Sequence, residues 1–146
     1  MILKCHCTPK SLEPNIKRFL KKLTNNDIFL LEIRKNNIDF NIEISFISSL
    51  LIKKLNNIYR HLNNSTDVLS FSLNNIGEIY LCLKDIKKNS KDFSQDFSLE
   101  VERCIIHGCL HIFGYDHTEK LVDINSVMKE PMFLIQEKIL SQCHIK

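Results

Sequence analysis

Apolar and polar positions alternate most regularly over Phe40–Ile47, where Phe40, Ile42, Ile44 and Phe46 are separated by Asn41, Glu43 and Ser45. A period of two marks a strand with one buried face. Ile2–Cys7 is a shorter apolar stretch ahead of Pro9 and also reads as a strand. A different period runs through residues 12–23. Leu12, Ile16, Phe19, Leu20 and Leu23 recur at helical spacing, with lysines opposite them. Asp27–Arg34 is apolar and favours helix. Ser48 and Ser49 are suited to cap a helix running to about Tyr59, with Leu51, Leu55, Ile58 and Leu62 as its inward stripe. After the polar turn Asn63–Thr66 comes a strand, Val68–Leu73. Asn74-Asn75-Ile76-Gly77 then reads as a hairpin turn, followed by a strand over Glu78–Leu83. Residues 84–98 are charged and weakly periodic, as in a helix start and a loop. Leu99–Phe113 and about Asp123–Cys143 read as two further helices. Strands gathered in the middle with helices towards both ends predict one compact α+β domain over residues 1–146.

Composition narrows the class without choosing a function. At 146 residues the chain suits one domain, and 44% hydrophobic and 25% charged residues are ordinary for a globular protein. No apolar run approaches the roughly 18 residues of a membrane span. Met1-Ile-Leu-Lys-Cys-His-Cys has no signal-peptide pattern, so a cytoplasmic protein is expected. The six cysteines form no C-x-x-C pair, and in a reducing compartment they serve as small apolar residues. Cys5 and Cys7 around His6 fit a strand better than a metal site. The net charge of +3 is unevenly spread. Residues 1–60 carry 11 Lys and Arg against 5 Asp and Glu, clustered at Lys17, Arg18, Lys21 and Lys22 and again at Lys53, Lys54 and Arg60. Such clusters suit either phosphate contacts or a solvated face.

The strongest chemical signal is His107-Gly-Cys-Leu-His111-Ile-Phe-Gly114-Tyr-Asp-His117. His107 and His111 are four apart and share a helix face. Gly114 is placed to end the helix in a left-handed turn and bring His117 back to the same point. Three imidazoles with an open fourth position make a catalytic zinc site rather than a closed structural one. The spacing is that of the long zinc-protease motif, with Gly108 where the protease carries its glutamate base. Metal binding is therefore expected without that proton acceptor. Cys104 shares the His107 side of the helix, where packing is its simpler role.

Leu55-Asn56-x-x-Tyr59-Arg60 closes the helix capped by Ser48 and Ser49, and Thr66-Asp67-Val68-Leu69-Ser70-Phe71 opens a strand. Together with His107–His117 and Met132-Phe133-x-x-Gln136-Glu137 they resemble the YbeY family of bacterial zinc-dependent endoribonucleases. The match runs in order over about residues 42–140. Glu78 departs from the family's usual Asp but keeps its charge. The resemblance implies a small mixed four-stranded sheet packed against about five helices. It implies one Zn2+ per chain on His107, His111 and His117, with a functional arginine at Arg60. It also implies single-strand-specific cleavage of ribosomal RNA in maturing the small-subunit 3′ end and in ribosome quality control, with small-subunit components as partners. Arg60 then suits phosphodiester charge, since a guanidinium grips two oxygens at once. Asp116 suits orienting a histidine or shaping the turn, and Asp67 suits bracing the loop beside Arg60. Two alternatives stay open: an RNA- and protein-binding ribosome-assembly factor whose zinc is mainly structural, and a zinc hydrolase of another substrate such as a peptide.

Overall fold

The computed structural model describes residues 1–116 and 130–145. The alternating segments form strands β1 (Leu3–His6), β2 (Asn41–Phe46), β3 (Val68–Leu73) and β4 (Ile76–Leu81). The helical segments form α1 (Glu13–Thr24), α2 (Asp27–Lys35), α3 (Ser49–Arg60), α4 (Leu83–Asp92), α5 (Phe97–Ile112) and α6 (Pro131–Cys143). The strands make one mixed sheet in the order β1-β2-β4-β3, with β1, β2 and β4 parallel and β3 antiparallel to β4. The α+β fold and four-stranded sheet agree with the sequence reading. The expected helix from about Asp123 is described only from Pro131, since residues 123–129 lie outside the described set.

Alternation sorts the sheet's two faces. Ile42, Ile44 and Phe46 of β2 and Ile79 and Leu81 of β4 turn to the main core, joined by Ile16, Phe19, Leu23, Phe29 and Ile86 from α1, α2 and α4. Leu69 of β3 turns the other way and packs with Ile52 of α3 and Cys82 in a smaller cluster. Helix α5 lies at the centre, with buried residues on nearly every side: Val101, Cys104, Ile105, Ile106, Gly108, Cys109, Leu110 and Ile112. Asp96 caps its start, accepting from the Leu99 N–H at 3.2 Å.

Three local expectations are corrected. Only Ile52 and Asn56 of α3 are buried. Of the expected inward stripe, Ile58 is 64% exposed, Leu62 51% and Leu51 45%, and only Leu55 packs on the smaller cluster. The helix is rotated because Asn56 faces inward, its amide donating to the Asn64 carbonyl at 3.0 Å and closing the following loop. The hairpin turn is Asn74-Asn75 alone, with φ of 51° and 62°. Both are left-handed, as a two-residue type I′ turn requires, and asparagine tolerates it. Ile76 and Gly77 therefore belong to β4. Residues 83–92 form a complete helix although only Ile86 and Ser90 are buried. Two inward positions one turn apart suffice when the rest faces water.

Gly77 and Gly108 set how close α5 comes to the sheet. A Cβ on Gly108 would meet Ile79 atoms at 2.9–3.1 Å, and one on Gly77 would meet Ile112 and Ile42 at 3.0 Å. Position 108 thus faces β4, where a glutamate side chain has no room. Gly108→Ala is expected to lower stability in urea unfolding by up to about 2 kcal/mol. Overpacking of about 1–3 kcal/mol outweighs alanine's helix-propensity gain of about 1 kcal/mol.

Candidate metal centre

Helix α5 presents His107 and His111 one turn apart, both half-buried. Their Nε2 atoms lie 3.0 Å from each other, with the rings nearly perpendicular at 83°. The other ring nitrogens are each held by an acceptor. His107 Nδ1 donates to Gln136 Oε1 of α6 at 2.8 Å. The Gln136 orientation is set from its far end, where Nε2 donates to Glu137 Oε2 at 3.1 Å. Glu137 is gripped bidentately by Arg103, through Nε at 2.9 Å and Nη2 at 3.0 Å. His111 Nδ1 donates to the Tyr115 backbone carbonyl at 2.7 Å.

With both protons on Nδ1, each neutral imidazole points a lone pair at the other. Two lone pairs at this separation repel unless they share a cation. A tetrahedral zinc with bonds of about 2.0–2.1 Å requires its nitrogens about 3.3 Å apart, a few tenths of an ångström from the arrangement here. The donor set therefore fits a borderline metal ion held by imidazoles, their outer nitrogens hydrogen-bonded as metal-binding histidines usually are. His117, the third predicted ligand, lies outside the described residues. Among the described residues, no group of three His, Cys, Asp or Glu is placed to hold an ion.

The turn behind His111 is built by its glycine. Gly114 has φ of +111°. Its N–H bonds the His111 carbonyl at 3.0 Å and the Tyr115 N–H bonds Leu110 at 3.0 Å, the paired closure of a Schellman ending. The Tyr115 hydroxyl then donates to Glu32 Oε2 of α2 at 2.7 Å, and Glu32 is only 5% exposed. Burial, with the Glu32 carboxylate adding to it, pushes the Tyr115 hydroxyl up to about 12.

In front of the histidines is a cleft of about 580 Å³, lined by residues that include Arg60, Asp67, Ser70 and Asp116. Arg60 is the last residue of α3, exposed at the rim, where His61 ends the helix in a left-handed conformation at φ 59°. No acidic side chain among the described residues pairs with it. Asp67 is fixed at the entry to β3, accepting the Val68 N–H at 2.8 Å on Oδ1 and Asn89 at 3.3 Å on Oδ2. These bonds tie the start of β3 to α4. Asp116 is 3.9 Å from His111 Nδ1, beyond hydrogen-bond range, so the Tyr115 carbonyl orients that ring instead. Cys104 is a core residue whose Sγ lies 3.8 Å from Asp67 Oδ2.

The positive cluster of α1 is not part of this wall. Lys17, Arg18, Lys21 and Lys22 are exposed on a helix that packs on α2 and α6, and Arg60 is the one Lys or Arg lining the cleft among the described residues. Sequence reasoning also missed Glu32 and Tyr115. Glu32 left a trace: a charge in the apolar run Phe29–Ile33, at a position the helical period assigns to the core.

Comparisons with known proteins point to one family. The family described as "Endoribonuclease YbeY" matches residues 5–144. A relative of that name from Thermosipho melanesiensis is 34% identical over 134 residues, 90% of this chain and 88% of its own. One from Thermotoga maritima is 36% identical, covering 84% and 81% of the two chains. One from Phytoplasma mali is 35% identical, covering 86% and 80%. The solution structure of TM1509 from Thermotoga maritima superposes with a TM-score of 0.65 at 27% identity, over 97% of this chain and 89% of that one.

Tyr115→Phe is expected to cost about 1–3 kcal/mol in urea unfolding at neutral pH, because buried Glu32 loses its hydroxyl donor. The hydroxyl titrates near 10 when unfolded and at about 12 when folded, so its contribution is complete below pH 10 and fades towards pH 12. Stability measured across pH 10–12 should therefore fall less steeply in the phenylalanine variant.

Proposed function

The chain belongs to the YbeY endoribonuclease family, and from that premise we propose that it is a zinc-dependent endoribonuclease cutting single-stranded RNA. Its setting is the cytoplasm, where it matures the small-subunit ribosomal RNA 3′ end and acts in ribosome quality control alongside small-subunit components. Among the described residues no helix is long and apolar enough to cross a membrane. The observation that carries the chemistry is the pair of Nε2 atoms converging at 3.0 Å with both Nδ1 atoms engaged as donors.

His107 and His111 would hold one zinc ion together with His117. When bound, zinc supplies a water acidified to a pKa of about 7 and part of the charge neutralisation a phosphodiester needs. The protein supplies the rest. Gln136 and the Tyr115 carbonyl keep each Nδ1 protonated, so each Nε2 stays a ligand. Arg60, lining the same cleft and without an acidic partner among the described residues, is available to grip non-bridging phosphate oxygens. The lining explains why one arginine is not enough. Asp67 and Asp116 face the same cleft, so bound metal is needed to make it attractive to a phosphate.

The test is metal content and RNA cleavage measured on the same preparations. His111→Ala should lose stoichiometric zinc and cleavage together. Arg60→Ala should keep zinc and a thermal midpoint within a few degrees, yet cut about 10²–10³-fold more slowly. Arg60→Lys should recover little of that, since an ammonium cannot form the fork. Cleavage that persists in His111→Ala protein freed of contaminating nuclease would overturn the reading.

A further inference from the structure

Strand β3 is one of the two edges of the sheet, and its register decides which backbone groups face the cleft. The Cys82 N–H donates to the Asp67 carbonyl at 2.9 Å, so positions 67 and 82 form a bonded pair at the mouth of the β3–β4 ladder. Bonded and non-bonded pairs alternate in an antiparallel ladder. Leu69 opposite Tyr80 and Phe71 opposite Glu78 are therefore bonded, and Val68, Ser70 and Ser72 point their N–H and C=O away from β4. Among the described residues no strand pairs with that outer edge. The Val68 N–H is already taken by Asp67 Oδ1 at 2.8 Å. The first outward amide left on the edge is that of Ser70, which lines the same cleft as Arg60, His107 and His111.

We infer that the outer edge of β3 seats the RNA backbone, with the Ser70 N–H donating to a non-bridging oxygen of the bound phosphodiester. The inference rests on the endoribonuclease reading and deepens it by assigning a substrate contact no side chain reveals. A backbone amide on a strand is held in place by its ladder and needs no reorganisation as charge gathers on the phosphate. The neighbouring Val68 and Ser70 carbonyls point the same way. They would repel phosphate oxygens but accept from ribose 2′-hydroxyls, donors that RNA carries and DNA lacks. An edge offering one amide between two carbonyls thus suits a ribose-phosphate chain. It sits at the wall of the cleft that also contains Arg60 and the paired imidazoles.

The test replaces the Ser70 amide by an ester, using the α-hydroxy acid analogue of serine in the full-length protein. The same replacement at Ser72 is the control, because that amide also faces outward but the cleft lining does not include it. Cleavage and binding of a single-stranded oligoribonucleotide are measured together with zinc content. The Ser70 ester is expected to cut about 10- to 100-fold more slowly than the Ser72 ester, with zinc content unchanged. Ser70→Ala keeps the amide and removes only the hydroxyl, so it is expected to lose less activity than the Ser70 ester. Equal rates for the two esters would overturn the inference. So would a Ser70→Ala loss as large as that of the ester, since the hydroxyl would then be the contact. Native protein that neither binds nor cuts the oligoribonucleotide would sink the endoribonuclease reading itself, and this inference with it. Should the Ser70 ester fold poorly, Ser70→Pro removes the same donor at an edge position where proline is tolerated, and the same comparison applies.

Discussion

The site depends on how closely helix α5 lies against β4. Gly77 and Gly108 remove the two Cβ atoms that would hold them apart, at contacts of about 3 Å. With that approach, α5 is walled in by the sheet, α4 and α6, and nearly all of its surface becomes core. His107 and His111 occupy the strip left half-open. Their placement is therefore a by-product of packing. Interiors are close-packed and respond to small changes in volume, so the helix cannot slide without breaking contacts along its length. A side chain at position 108 would disturb the paired histidines by lifting the helix, although it would point away from the cleft.

The two imidazoles are steadied from different directions. His107 is tied through Gln136 and Glu137 to α6, and Arg103 of α5 locks that carboxylate in place. His111 is tied through the Gly114 turn to Tyr115, and from its hydroxyl to buried Glu32 on α2. Helices distant in sequence must both dock before the two Nε2 atoms converge. Folding and imidazole geometry are thus coupled, which is how a half-exposed pair of histidines stays preorganised beside an open cleft.

Much of this was legible in the chain, and what was hidden has physical reasons. The strand Phe40–Ile47 and the helix of residues 12–23 announce themselves because each has one buried face and therefore a clean period. The face of α3 was misread because two stripes compete. Leu51, Ile58 and Leu62 are the more apolar, but Asn56 is drawn inward by a loop contact that no periodicity encodes. The helix at Leu83–Asp92 was read short because one of its two buried positions, Ser90, is polar and adds nothing to an apolar stripe. His107 and His111 were plain from spacing, since i and i+4 is a property of the helix itself. Gln136, Tyr115 and Glu32 were not, because second partners are fixed by tertiary proximity. Gly108 was read as a missing base, whereas the structure assigns it a packing duty as well. The outward amide of Ser70 depends on strand pairing, which side-chain pattern does not report.

The two imidazoles also differ in what they ask of heredity. The acceptor behind His107 is a glutamine side chain, so a single codon change can delete it. The acceptor behind His111 is a main-chain carbonyl, present whatever residue occupies position 115, provided the Gly114 turn survives. One imidazole is thus exposed to mutation at its partner, while the other is buffered and depends on a glycine. Random substitution should accordingly damage the pair unevenly, with losses behind His111 concentrated at the turn and those behind His107 spread over Gln136, Glu137 and Arg103.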